Sequence, residues 1–199
     1  MQIIDDVVDK ATQDLIENMV LENDMPRWIY HRGYATPKRI PPLTKNLSSH
    51  SFFFDVIKAN NFRLVDPSYE LLLSPIMRFN PTKIFKVRAT LHHPLRNEER
   101  INLPPHLDAL PEHYNTDKFK VAVYYVNESD GPTTFYKETY QSAKEKGLTV
   151  DQINNFEMDI DQQIQPKKGR LVLFDHDQYH ASGVAKSGVR SILNYNFYV

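Results

Sequence analysis

From Ile84 to Val199 the chain is a series of short runs rich in β-branched and aromatic residues: "IFKVRATL", "KVAVYYVN", "TTFYKE", "RLVLF" and "VRSILNYNFYV". The turn signals "ESDGP", "PKKG" and "AKSG" lie among them. Runs of this length, bounded by Gly, Pro, Asp and Ser, predict strands joined by tight connections. The residues before Ile84 have a different texture. Ile4, Val7, Val8, Ala11, Leu15, Met19 and Val20 recur at helical spacing, with Asp5 and Asp6 where a helix dipole favours acids. "SSHSFFFDVIKANN" predicts a second helix and "PSYELLLSPIMRF" a third, with the Pro-rich "TPKRIPPLTK" as an extended connection. Thr149 and Gln152 have capping-box spacing, which predicts one short helix inserted among the strands. Helices first and strands afterwards suit an α+β fold with an antiparallel sheet.

Composition then narrows the chemistry. Neither a repeat nor a linker divides the 199 residues, which predicts one domain with length enough to bury a core. There is no cysteine, so disulfides, thiolate zinc sites, iron–sulfur clusters and cysteine nucleophiles are excluded. A net charge of -1 gives no electrostatic reason to expect nucleic acid or an anionic membrane as partner. The opening "MQIIDDVVDK" lacks the basic-then-apolar order of a signal peptide, and no apolar run approaches the ~20 residues of a membrane helix. A soluble intracellular chain is the expectation.

The stretch "LPPHLDALPEH" holds His106 and Asp108 two residues apart. With 8 histidines and 25 acids in 199 residues, about one His-x-acid spacing arises by chance, so its surroundings decide its meaning. On a strand, residues i and i+2 share a face, and an imidazole nitrogen and a carboxylate oxygen there can hold one ion. His180, just past the apolar run "RLVLFD", is the candidate third ligand. Two histidines and one carboxylate with open positions match non-haem Fe(II) oxygenases. Arg190 lies ten residues after His180, on a strand where Arg190, Ile192, Asn194, Asn196 and Tyr198 share one face. Val189, Ser191, Leu193, Tyr195 and Phe197 share the other, mostly apolar face, which should pack against the helices. Arg190 and Asn194 are then directed inward, where a guanidinium needs an anion, and a ligand carboxylate would serve.

These residues resemble the Fe(II)- and 2-oxoglutarate-dependent oxygenases, and among them the prolyl-4-hydroxylase-like branch with its small bacterial and phage enzymes. "PPHLD" resembles their His-x-Asp strand. "VAVYYVNESDGPTTFY" is similar to the strand, Gly-bearing turn and strand that follow it. "GRLVLFDHDQYHASGVAKSGVRSILNYNFYV" resembles the distal histidine, turn and arginine strand. The resemblance implies a double-stranded β-helix, a jelly-roll barrel over 84–199 with mainly helical support in 1–83. It implies Fe(II) on His106, Asp108 and His180, and the distal carboxylate of 2-oxoglutarate on Arg190. Tyr125 would hydrogen-bond that co-substrate and Asn194 would complete the pocket. Tyr124 and Tyr125 face opposite sides of a strand, so alternation places one of them inward and does not say which. The implied activity is hydroxylation by dioxygen with release of succinate and carbon dioxide, ascorbate serving as reductant. The substrate is left open, a prolyl or other amino-acid residue coming first, as a peptide or a small molecule.

Two other functions use the same residues. A zinc hydrolase would place a bound water on the triad, but gives Arg190 no task. A non-catalytic β-barrel binding protein would have no need to keep all four site residues. Elsewhere, His92 and His93 are expected in a loop, His113 near the mouth in solvent, and His176 in a polar turn. His31 and His50 have no ligand-like neighbour in sequence, Trp28 and "SFFFD" are expected in the core, and Arg88 points either inward or outward. The loops 109–118 and 139–159 are candidates for touching substrate.

Overall fold

The computed structural model describes residues 1–22, 28–30, 51–59, 63–94, 103–109, 118–149, 152–153 and 157–199. His31, His50, His113, the whole Pro-rich connection and most of the 109–118 loop lie outside the described residues. The described chain runs β1 (Gln2–Ile4), α1 (Lys10–Glu17) with a π-helical turn (Asn18–Glu22), β2 (Ile29–Tyr30) and β3 (Ser51–Ile57). A 3-10 helix (Pro67–Leu73), α2 (Ser74–Met77), β4 (Lys83–His92), β5 (Phe119–Tyr125) and β6 (Thr133–Thr139) follow. The last elements are α3 (Tyr140–Glu145), β7 (Ile160–Ile164), β8 (Leu171–Asp175), β9 (Gln178–Ser182) and β10 (Arg190–Tyr198). None of the described helices is long and apolar enough to cross a membrane.

The strands form two sheets, one in the order β1-β8-β5-β10-β4-β3-β2 and one in the order β7-β6-β9. All their ladders are antiparallel. This is the two-sheet architecture of a double-stranded β-helix, with the sheets facing each other rather than closing into a continuous barrel.

β10 shows why the strands sit as they do. Leu193, Tyr195 and Phe197 point to one side and pack with Ile16, Val20, Tyr69, Leu72 and Ile76 of the helical layer. Tyr195 Oη donates to Leu72 O at 2.7 Å, which satisfies a hydroxyl that burial would otherwise penalise. The opposite face of the large sheet meets the small one through Val121, Val123, Tyr125, Phe135, Val172, Phe174 and Ile192. Each fully buried side chain of this size contributes about 1.5–3 kcal/mol. The polar residues of β10 thus lie in the space between two apolar walls.

Three expectations need correction. The segment 48–61 is not helical: its described part is β3, paired with β4 from Ser51↔His92 to Ile57↔Val87. Aromatic residues suit a pleated sheet, and alternation sends Phe54 and Val56 to the helical side while Phe53 and Asp55 face the interior. The first helix begins later than its apolar spacing predicts. Residues 2–4 add to the edge of β8, Asp6 has φ of 50°, and Asp9 caps α1 by accepting from Thr12 N–H at 2.9 Å. Third, His92 is not a loop residue but the buried last residue of β4, opposite Arg190. The third predicted helix, over 67–79, is present as the 3-10 turn and α2. Both halves of the Thr149–Gln152 capping box form, at 2.8 and 3.2 Å. β7 and α3 carry little apolar periodicity and escape sequence reasoning. Trp28 packs on Phe54 at 4.8 Å, in the core as expected.

Candidate functional site

His180 is the third residue of β9, and a short backbone bridge brings His106 beside it. His106 N–H donates to His180 O at 2.9 Å, and His180 N–H donates to His106 O at 3.2 Å. The two rings then lie 4.6 Å apart. Asp108, two residues after His106, directs its carboxylate at both. Oδ1 is 3.8 Å from His106 Nε2, and Oδ2 is 3.6 Å from His180 Nε2. One ligand atom from each of the three lies within 4.8 Å of the others. Two atoms bound to one ion at about 2.1 Å are at most ~4.2 Å apart, so both Asp–His gaps suit a shared ion.

Second contacts orient the rings. His106 Nδ1 is 3.2 Å from Pro104 O, and His180 Nδ1 is 3.2 Å from Gln178 O. A carbonyl only accepts, so each Nδ1 carries the proton and each Nε2 keeps its lone pair for a metal. Burial pushes the His180 imidazole down to about 4, against the pull of Asp108. Phe174 and Phe135 wall it, 4.8 and 6.0 Å away. Burial alone would raise the Asp108 carboxyl, but His180, Lys86, His106 and the Asn194 amide together hold it below its ordinary value. The His106 side chain, 34% exposed against 5% for His180, marks the open side of the site.

Arg190 begins β10 and is fully buried. Its Nε donates to Gly131 O at 2.8 Å, Nη2 to Thr133 Oγ1 at 2.8 Å, and Nη1 to Ser182 Oγ at 3.4 Å. Tyr125 Oη donates to the same Thr133 Oγ1 at 2.7 Å, and the guanidinium lies 5.8 Å from the Tyr125 ring centre. Tyr125 therefore occupies the interior side with Arg190, while Tyr124 faces the helical layer, which resolves the choice alternation left open. Asn194 stands elsewhere: its Nδ2 donates to Asp108 Oδ2 at 2.7 Å, so it braces the triad. Arg88 points inward. It pairs with Asp55 at 2.8 Å and covers the Phe53 ring at 4.2 Å.

No family model and no curated protein sequence matches the chain. Solved structures do match it in shape. HygX of Streptomyces hygroscopicus, with nickel and 2-oxoglutarate bound, is 10% identical, with a TM-score of 0.61 over 98% of this chain and 81% of that one. A Pseudomonas putida prolyl-4-hydroxylase is 13% identical, with a TM-score of 0.55 over 99% and 91%. A Trichoplax adhaerens prolyl hydroxylase in complex with a hypoxia-inducible-factor peptide fragment is 14% identical, with a TM-score of 0.59 over 99% and 83%. The fold is that of the Fe(II)/2-oxoglutarate oxygenases.

On this oxygenase fold the structure brings His106, Asp108 and His180 together, and it gathers Arg190 and Tyr125 around Thr133. Sequence reasoning missed Thr133, Gly131 and Ser182 as partners of Arg190. The only available signal was the "DGPTTF" turn, which shows a turn and not what its oxygens face. It missed Lys86 also, whose inward direction depends on the β4–β10 register, Lys86 opposite Asn196.

Proposed function

We propose that the protein is an Fe(II)- and 2-oxoglutarate-dependent dioxygenase that hydroxylates a C–H bond of its substrate. The observation that carries this reading is the pairing of two sites between the same sheets. One is a two-histidine, one-carboxylate cluster with lone pairs turned inward. The other is a buried arginine held with a tyrosine around one threonine hydroxyl. Nitrogen and carboxylate donors without thiolate suit Fe(II). His106, Asp108 and His180 would hold the metal, and Arg190 with Tyr125 would hold the distal carboxylate of the co-substrate.

Bound Fe(II) supplies oxidation by dioxygen: 2-oxoglutarate, dioxygen and substrate R–H become succinate, carbon dioxide and R–OH. The chain's own residues do the rest. The Nδ1–carbonyl bonds orient the imidazoles, and Asn194 orients the carboxylate, so the three donors are already turned toward one another before metal would bind. Phe135 and Phe174 keep water from the buried side of His180. The Arg190 guanidinium would hold the co-substrate's distal carboxylate and so set its direction. A hydrolase using the same triad gives the arginine pocket no task.

The test is an anaerobic titration of metal-free protein with Fe(II) and then 2-oxoglutarate. Chelation of the keto acid by Fe(II) gives a weak visible charge-transfer band. The band is expected in the parent, absent in His106→Ala, and to require far more 2-oxoglutarate in Arg190→Ala. Iron binding with no band in the parent overturns the oxygenase reading.

A further inference from the structure

β10 orders the interior into three stations. Arg190 stands at one end. Four residues on, about 13 Å along a strand, Asn194 holds the metal carboxylate Asp108. Two residues further, about 7 Å, Asn196 stands opposite Lys86 of β4. The metal station therefore lies between two cations, with the co-substrate arginine on one side and a lysine on the other.

Lys86 is a partly buried ammonium. Burial draws its proton affinity down, the Asp108 carboxylate pulls it up, Arg88 lowers it and Asp55 raises it. Its neighbour Arg88 is compensated by Asp55 at 2.8 Å. Lys86 is drawn to Asp108 and, less strongly, to Asp55; Asp55 is already paired with Arg88, and Asp108 is committed to the metal. A divalent ion, the Asp108 charge and the keto-acid carboxylate of the co-substrate sum to zero, which leaves the lysine charge without compensation in a low-dielectric space. Such a charge calls for an anion.

Beside it is a directed acceptor. Asp108 accepts from Asn194 Nδ2, so Asn194 Oδ1 faces Asn196, and Asn196 Nδ2 donates to it at 2.8 Å. That sequence fixes the Asn196 amide, and leaves its Oδ1 buried and without a donor among the described residues. An anion next to an N–H donor fits the lysine and this oxygen together.

We propose that Lys86 and Asn196 form the primary-substrate subsite, and that the substrate is a small molecule with a free carboxylate next to an N–H group, a free amino acid rather than a residue within a peptide. The carboxylate sits on Lys86 and the amino group on Asn196 Oδ1. Fold likeness does not choose this class, since proteins of this shape bind partners as different as a peptide fragment and hygromycin B. The proposal rests on the oxygenase reading above.

The experiment uses the full chain loaded anaerobically with Fe(II) and 2-oxoglutarate, and follows the charge-transfer band, a binding signal that needs no turnover. The probes are the common free L-amino acids and their primary amides. At least one free amino acid is expected to shift the band, its amide needing about 30-fold more, the loss expected for a buried charge pair. Lys86→Met is expected to abolish the preference for the carboxylate and Lys86→Arg to retain it. Amides that act as well as acids overturn the proposal, and so does a band that no amino acid shifts. If Lys86→Met instead raises the 2-oxoglutarate needed to form the band, the lysine serves the co-substrate and the proposal is wrong. Absence of the band in the parent overturns the oxygenase reading, and this proposal with it.

Discussion

Asn194 Nδ2 donates to Asp108 Oδ2 at 2.7 Å, and Asn196 Nδ2 donates in turn to Asn194 Oδ1 at 2.8 Å. Two side chains on one strand face thus hold the one carboxylate of the triad in place. Asn194→Leu keeps the volume and removes the donor. Second contacts of this kind are worth roughly 10–100-fold in metal affinity. The expected result is a rise of that size in the dissociation constant for Fe(II), measured anaerobically with a competing chelator. An unchanged constant would show that Asp108 is placed by the His106–Asp108 backbone alone.

Thr133 Oγ1 accepts from both Tyr125 Oη and Arg190 Nη2, at 2.7 and 2.8 Å. Thr133→Val preserves the shape and strands two buried donors, each worth about 1–3 kcal/mol when unsatisfied. Lower stability to urea and a 2-oxoglutarate requirement raised about tenfold are expected together. Loss of stability with an unchanged co-substrate requirement would separate this hydroxyl from the co-substrate.

Much of the site was legible in sequence because it depends on local periodicity. The alternation of Arg190 and Asn194 along β10 survives into the structure, and His106 and Asp108 do converge with His180, though from an isolated bridge and a bend rather than from a strand. What was illegible depends on pairing between strands. That His92 ends β4 beside Arg190, and that Lys86 faces Asn196, follow from a register no single strand encodes. "SFFFDVI" failed for a related reason: three successive phenylalanines suit a helix or a strand, and the partner β4 decides between them.

Gly131 and Gly183 touch through their backbones. A Cβ on Gly131 would stand 2.7 Å from Gly183 O and 2.8 Å from Ala185 N, with no flexible side chain to give way. The carbonyl of Gly131 is also the acceptor for Arg190 Nε. Gly131→Ala should therefore move this carbonyl as well as strain the loop, at a cost of about 1–3 kcal/mol. The check is paired: a lower thermal midpoint and a weaker charge-transfer response at fixed 2-oxoglutarate. A fall in stability alone would mean that the arginine pocket tolerates the shift.

Burial pushes the His92 imidazole down to about 3, and the Arg190 charge adds to the effect. The folded value lies below the unfolded one of 6.5, so between those limits the unfolded chain binds the extra proton. Stability is therefore full above about pH 6.5, declines as pH falls through that value, and levels off only near the folded value. From pH 6.5 to pH 5 this single group accounts for about 2 kcal/mol. His180, held at about 4, adds a decline of the same sign in the metal-free protein. Urea unfolding of metal-free protein at pH 7.5 and pH 5 is expected to show the combined loss, and His92→Gln to remove about half of it. Equal pH dependence in parent and variant would mean that His92 takes up its proton in the folded state without cost. The glutamine variant would then leave the acid sensitivity with His180 alone.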